Sequence, residues 1–470
     1  MNAPAIWILF PIGLALVILS FVRRAWIVAG LATFAALALA ALAIWLPTDE
    51  LIIIGPWSIP FSDTLVVLGR QFILSEGDRP ALIMVYLTAG IWFGAAPIAR
   101  TGRLFVPLGL IMVALLTAAI AVEPFLYAAL IIEIAVVVSI PFLSQEGEWV
   151  GRGVLRYLTF QTLGVPFILF TGWILAGVES TPGDEKLIAI AAIMLGLGFS
   201  LLLAIFPFHT WIPMLMQETH PFTAAFVFLV LPGSVFLFGL SFINRYVWLR
   251  DAHAIHGLLQ WVGVLMVVFA GSLSVFQRHP GRLLGFALLL EIGYSLVAIG
   301  LYQDENTIQY LGVFFTGLLP RALGLGVWAL ALSVLRLHSP KLGFEHIRGL
   351  AKQYPISAAS LILAVFSLAG MPLLASFPVR IQLLMGLTDV SPLGAILALF
   401  GMACLSLGGL RTLSVLIGGE RSLPWEIKES RLQRLFLVIG VLGLFFLGLA
   451  PQLFLPLFQN MPLAFGQTIP

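Results

Sequence analysis

One cysteine, Cys404, stands among 470 residues, and it lies in an apolar run. An intrachain disulfide and a CxxC metal site are therefore excluded. Charge is scarce as well: Asp, Glu, Lys and Arg make up 10% of the chain, where a soluble domain carries about 25%. Phosphate loops, GxSxG elbows, flavin fingerprints and metal-ligand spacings are missing. The glycines near 196–198 belong to a run common in membrane helices and carry no nucleotide signal. No cofactor and no active site of the chain's own are expected. The net charge of +2 gives no ground for a nucleic-acid partner. No small-residue cleavage site follows the N-terminal apolar run, which reads as a retained helix rather than a signal peptide. A stretch long enough to fold alone in water is also lacking. The longest polar interval, about 47–79, alternates from Leu51 to Ile59 and reads as a short hairpin or a lateral helix.

Apolar sequence is abundant. Hydrophobic residues are 60% of the chain, and the mean hydropathy is +1.07. A membrane-spanning helix needs about 20 mostly apolar residues. Such windows fall at 4–22, 26–46, 80–99, 104–122, 124–143, 154–176, 187–206, 222–244, 257–277, 281–302, 307–335, 356–387, 392–417 and 432–457. An all-α polytopic membrane protein of about fourteen helices is expected. Of the 24 Lys and Arg residues, 17 lie in connections after odd-numbered segments, Arg421 among them, and five after even-numbered ones. By the positive-inside rule the odd connections are cytoplasmic and both termini face outward, in the inner (plasma) membrane of a prokaryote.

Two segments are broken by proline. The seventh reads LGLGFSLLLAIFPFHTWIP over 195–213, with Pro207 at the break; the twelfth reads SLILAVFSLAGMPLLASFPVRIQLL over 360–384, with Pro372 and Pro378. Proline removes a donor and clashes with the preceding turn. In lipid the freed carbonyls need partners, so such breaks face protein or a wet cavity. Paired breaks in corresponding halves point to an ion path.

Four ionisable residues lie deep within apolar windows: Glu133, Glu291, Arg321 and Arg380. Each costs a few kcal/mol in a bilayer unless it meets a partner, a cavity or a relay. Glu133 either makes one fixed ion pair or exchanges protons. Glu291, with Tyr294 one turn on, either pairs with Arg321 or Arg282 for packing or relays protons. The two arginines stay charged and act electrostatically. His209, after the first break and beside Trp211, reads as an interfacial group, either a proton group at the mouth of a path or a cap on free carbonyls. His220 reads as solvated, and His256 and His279 as loop residues.

These segments resemble a known family. FPFHTWIP followed by THP is similar to the helix-7/8 signature of the antiporter-like subunits of respiratory complex I, Mrp cation/proton antiporters and membrane-bound hydrogenases. PGRLLGFALLLEIGYSLVAIGL (280–301), LLPRALGLGVWALA (318–331) and GLAKQYPISAASLILAVFSLAGMPLLASFPVR (349–380) resemble its helices 10, 11 and 12. The likeness runs over about 50–420. It implies inverted five-helix repeats at 104–244 and 257–417, preceded by 1–103 with three helices and an outward loop, and followed by 418–470 with the last helix. It also implies that Glu133 matches the helix-5 glutamate, and that Arg321 and Arg380 fall on the helix-11 and helix-12 basic positions. The chain departs from the family pattern elsewhere. Leu202 stands at the helix-7 lysine, Gly233 or Ser234 at the helix-8 lysine, and Met214 at the aspartate.

What the resemblance implies is a membrane-arm subunit of a complex-I-like (NADH or other donor):quinone oxidoreductase. It would take part in proton translocation with an incomplete charged relay, in contact with lipid and with other membrane and redox subunits. The transported ion is the proton, with Na+ as an alternative. The rivals are an Mrp-type antiporter subunit, and a non-conducting structural subunit of an ion-pumping or inorganic-carbon-uptake complex.

Overall fold

In the computed structural model, residues 2–46, 51–54, 57–60, 62–144, 150–180, 185–302, 308–419, 424–453 and 456 are described. Arg421, the end of the last apolar window and most of 454–470 lie outside them. The helices run in order as α1 Phe10–Leu19, α2 Ala25–Trp45, α3 Arg79–Ala99, α4 Phe105–Ala121, α5 Ala128–Leu143, α6 Arg152–Ser180, α7 Glu185–Leu202, α8 Trp211–Glu218 and α9 Pro221–Arg245. They continue as α10 Val247–Arg250, α11 His253–Val275, α12 Pro280–Leu301, α13 Ile308–His338, α14 Phe344–Ile347, α15 Pro355–Leu368, α16 Phe377–Val390, α17 Pro392–Ile417 and α18 Arg431–Leu449.

Among the described residues, eleven helices are long and apolar enough to cross a membrane. The number is twelve if Phe344–Lys352 and Pro355–Leu368, bent by 115° to each other, form one span. The chain is a multi-pass membrane protein. The count is below the expected fourteen because Ala5–Leu19 and Phe105–Ala121 are too short to qualify. The interval after α2 is strand rather than lateral helix. β1 Leu51–Ile54 pairs antiparallel with β2 Trp57–Pro60, and β3 Thr64–Val67 with β4 Arg70–Ile73. The short β5, Val122–Glu123, adds to β4 with Val122 opposite Phe72.

The packing is centred on α12, which is buried over its whole apolar window. Helices α8, α11, α13, α16 and α17 pack around it. Glycine permits the closest approach here. A Cβ on Gly271 of α11 would lie 2.3 Å from the Gly401 carbonyl oxygen of α17, so these two backbones touch. The final carbonyls of a helix have no partner within it, and arginines from elsewhere supply one. Arg79 donates to the Ala43 carbonyl at 2.9 Å and to Ile44 at 2.6 Å, closing α2. Arg411 donates to Val275 at the end of α11, at 2.6 Å, and Arg336 to Thr219 after α8, at 2.7 Å. A cation also complements the negative end of the helix dipole.

Candidate functional site

Both expected breaks are present, and they share one backbone design. After α7 ends at Leu202, Ala204 takes φ +53° and the Ile205 amide reaches back to the Ser200 carbonyl at 2.9 Å. After α15 ends at Leu368, Gly370 takes φ +78° and the Met371 amide reaches back to Phe366 at 2.9 Å. This left-handed residue with a long back-bond closes a helix end by satisfying its orphan carbonyls. Pro207 and Pro372 lie within the two non-helical stretches. Pro378 is in the first turn of α16, so it opens the helix after the break instead of interrupting one. Pro320 sits inside a continuous α13.

The second break gathers charge. Glu291 of α12, 3% exposed, lies between two arginines. Arg321 of α13 donates its Nε to Glu291 Oε2 at 3.0 Å and an Nη2 proton to the Glu291 carbonyl at 2.9 Å. The same nitrogen meets Ser295 Oγ. Arg380 of α16 donates to Glu291 Oε1 and reaches the Leu368 carbonyl at 3.5 Å, the open end of α15. Its guanidinium stands 3.8 Å from the centre of the Tyr294 ring, a cation–π contact that helps hold a desolvated cation. Arg380 Nε is buried without a partner among the described residues. Gly370 makes room for this side chain, since a Cβ there would fall 2.8 Å from Arg380 Cγ. Arg282 does not take part; it is exposed at the start of α12.

Two guanidiniums face one carboxylate. Without the carboxylate, two buried cations would stand side by side, a strongly unfavourable state.

The first break carries no such charge. Leu202, where the resemblance implies a lysine, is buried, and its carbonyl accepts from Gln161 Nε2 of α6 at 2.9 Å. The next residue, Thr162, donates its hydroxyl to Glu133 Oε1 at 2.5 Å. Glu133 Oε2 is buried without a partner, and no ion pair to Glu133 occurs among the described residues. The α5 face around it is exposed at Leu130, Ile134 and Val137. At Gly233 and Ser234 of α9 there is a cavity of about 60 Å³, walled by apolar side chains such as Met84, Val85, Leu229 and Leu237.

His209 is enclosed by aromatic side chains. It is 7% exposed, stacked on Phe206 with ring centres 5.7 Å apart and edge-on to Phe269 at 4.7 Å. Its Nδ1 has no partner among the described residues. Trp211 is buried with it, against Tyr157 and Phe228. The break itself is exposed at Phe206, Pro207 and Thr210, while His209 and Trp211 turn inward. The expected loop histidines also differ. His256 is buried on α11, with Nε2 3.0 Å from the Arg250 carbonyl. His220 is half-buried, and desolvation with the nearby Arg336 charge pushes its pKa down to about 3. His279 caps α12, its Nδ1 accepting from the Gly281 amide at 3.1 Å. Desolvation and the Arg282 and Arg336 charges hold it down to about 4. Ser295, Gln161 and Thr162 were not singled out from sequence. Their polarity is common on membrane helices, and only their contacts distinguish them.

Residues 163–406 match the family model described as NADH:quinone oxidoreductase/Mrp antiporter, TM. The chain is 26% identical over 334 residues to NADH-quinone oxidoreductase subunit N of Ectopseudomonas mendocina (strain ymp), an alignment covering 66% of this chain and 65% of that one. It therefore spans just under two thirds of the length of that curated relative. Its fold is similar to a chain of respiratory complex I from Thermus thermophilus with bound NADH, with TM-score 0.77, 22% identity and 99% of each chain covered. It is also similar to a chain of the Mrp complex from Dietzia sp. DQ12-45-1b, with TM-score 0.78, 16% identity, and 99% of this chain and 97% of that one covered.

Proposed function

The chain belongs to the NADH:quinone oxidoreductase/Mrp antiporter transmembrane family, and on that premise we propose that it is a membrane subunit of a complex-I-like quinone oxidoreductase, contributing to proton translocation through its second half. One observation carries the reading: a buried carboxylate held by two arginines at a broken helix. Charges so placed are costly in a membrane and mark ion pathways. The name of the Ectopseudomonas relative favours the quinone oxidoreductase over the Mrp alternative. Glu291 is the central residue of this path, held by Arg321 and Arg380. His209, Glu133 and the first half are secondary.

The wider reading completes this picture. Residues 104–244 and 257–417 form two five-helix repeats of opposite orientation, 1–103 and 418–470 flank them, and both termini lie outside a prokaryotic plasma membrane. Electron transfer belongs to partner subunits. The test is Glu291→Gln beside Glu133→Gln in the intact complex, reconstituted in proteoliposomes. Glu291→Gln abolishes or strongly reduces proton transfer per electron, and Glu133→Gln does so less. Full pumping by both variants would instead favour a scaffold, a reading to which Leu202 and the apolar cavity at Gly233 already lend support.

A further inference from the structure

Residues 424–430 are non-helical and lead into α18 across the start of α15. The Lys428 amide donates to the Gln353 carbonyl at 3.0 Å. The Ser357 amide donates to Glu429 Oε1 at 2.7 Å, so the buried Glu429 carboxylate caps α15, whose first amides have no partner within the helix. Ser430 and Gln433 cap α18 reciprocally, the Ser430 amide on Gln433 Oε1 at 2.9 Å and the Gln433 amide on Ser430 Oγ at 3.2 Å. The stretch is thus pinned on its inner side, while its outer side is apolar and basic. Trp425 is 81% exposed and Ile427 57%. Lys428 and Arg431 are exposed, and Arg434 is half-buried with its Nε unpartnered among the described residues. None of these three cations makes an ion pair among the described residues. With Glu429 committed to α15, one exposed carboxylate in the stretch, Glu426, stands against them.

We propose that this outer side binds an anionic phospholipid of the membrane surface, with Lys428, Arg431 and Arg434 on its phosphate and Trp425 and Ile427 among the neighbouring headgroups. The stretch lies between two candidate spans, α17 and α18, which sets it at the bilayer surface, the level that tryptophan favours. Basic groups at that level attract anionic lipids. Arg431 also heads a stripe of α18 that continues through Leu435, Val438 and Leu442, all exposed. Cations followed along one helix face by apolar side chains repeat the order of an anionic headgroup above its acyl chains, and that order selects a lipid over a free phosphate. The helix dipole points the same way. A first turn favours anions, yet the first turn of α18 holds no acidic residue and opens on Arg431. An anionic headgroup there restores the favourable sign. The lipid would lie one residue from the Glu429 cap, and so would steady the start of the helix that ends at the second break.

Fluorescence quenching by spin-labelled lipids tests this. The intact complex carries Ile427→Cys labelled with a small fluorophore; Cys404 is buried, so the chain adds little background of its own. It is reconstituted in vesicles doped with the same small amount of either phosphatidylglycerol or phosphatidylcholine bearing a nitroxide near the glycerol. Quenching should be severalfold stronger with the phosphatidylglycerol probe. Lys428→Gln, Arg431→Gln and Arg434→Gln together should bring it down to the phosphatidylcholine level. If that variant does not assemble, the comparison of the two probes in the otherwise native complex decides, with Trp425→Cys as a second labelling position. Equal quenching by both probes overturns the anionic site. Quenching by neither shows that a protein partner covers the face and overturns the lipid as its occupant. Loss of the preference on adding inorganic phosphate at constant ionic strength overturns the lipid as the source of the bound phosphate.

Discussion

The two helix breaks are nearly the same piece of backbone with opposite contents. Each ends a helix on a left-handed residue and a long back-bond, Ile205 to Ser200 in one and Met371 to Phe366 in the other. At the first, a neutral amide from Gln161 closes the Leu202 carbonyl. At the second, Arg380 reaches the Leu368 carbonyl while pairing with Glu291. Breaking a helix in a membrane thus does not of itself require charge. A side-chain amide is enough, and the arginines at the second break are there for something more than capping.

The largest expected effect tests that statement directly. Glu291→Gln leaves two buried guanidiniums without an anion, and removing one partner of a buried pair costs about 3–5 kcal/mol. Thermal unfolding in detergent should show a large drop for Glu291→Gln. Glu133→Gln, which keeps an acceptor for the Thr162 hydroxyl, should show little change. Similar losses in both would erase the contrast between the halves.

The left-handed residues give a second, smaller contrast. Gly370→Ala places a Cβ at φ +78° and 2.8 Å from Arg380 Cγ. It should cost about 1–3 kcal/mol and weaken the arginine's position. Ala204→Gly at the first break relieves the same kind of strain and should stabilise by about 1 kcal/mol or less. A smaller effect again is expected of Gln161→Leu, which strips the amide from the Leu202 carbonyl and should cost about 1 kcal/mol in the same unfolding assay. If that variant also impairs proton transfer as strongly as Glu291→Gln, the first half is more than structural.

The smallest expected effect is a pH dependence at the helix starts outside the spans. His220 and His279 are held at about 3 and about 4 in the folded chain, below the ordinary 6.5. Between pH 6.5 and 4 the unfolded chain binds protons that the folded chain refuses, so stability falls as pH falls through that window. The melting temperature should be lower at pH 5 than at pH 7.5, and His279→Gln should flatten the difference. A flat wild-type profile would show that these rings are not held neutral.

Much of this was legible in the linear chain. The membrane class, both breaks and the four deep ionisable residues follow from composition, proline and glycine. The pairing of Glu291 with Arg321 was among the readings the sequence left open. The part played by Arg380 in the same cluster was not, because 89 residues separate it from Glu291. The enclosure of His209 and Trp211 was not legible, because Trp beside His suits an interface as readily as an aromatic core. The exact number of spans was not legible, because hydropathy windows do not register where short helices such as α4 end.

The division has a physical basis. Insertion into a bilayer is close to a sum over residues, and a helix break is a property of a few adjacent dihedral angles, so the chain by itself determined a polytopic bundle interrupted at two points. Which charges meet depends on how each helix is rotated and set against its neighbours. Those rotations arise from contacts such as Gly271 on Gly401, between residues far apart in the chain. Only the packed bundle decided that Glu291 would lie between two arginines, and that Glu133 would be left with a threonine.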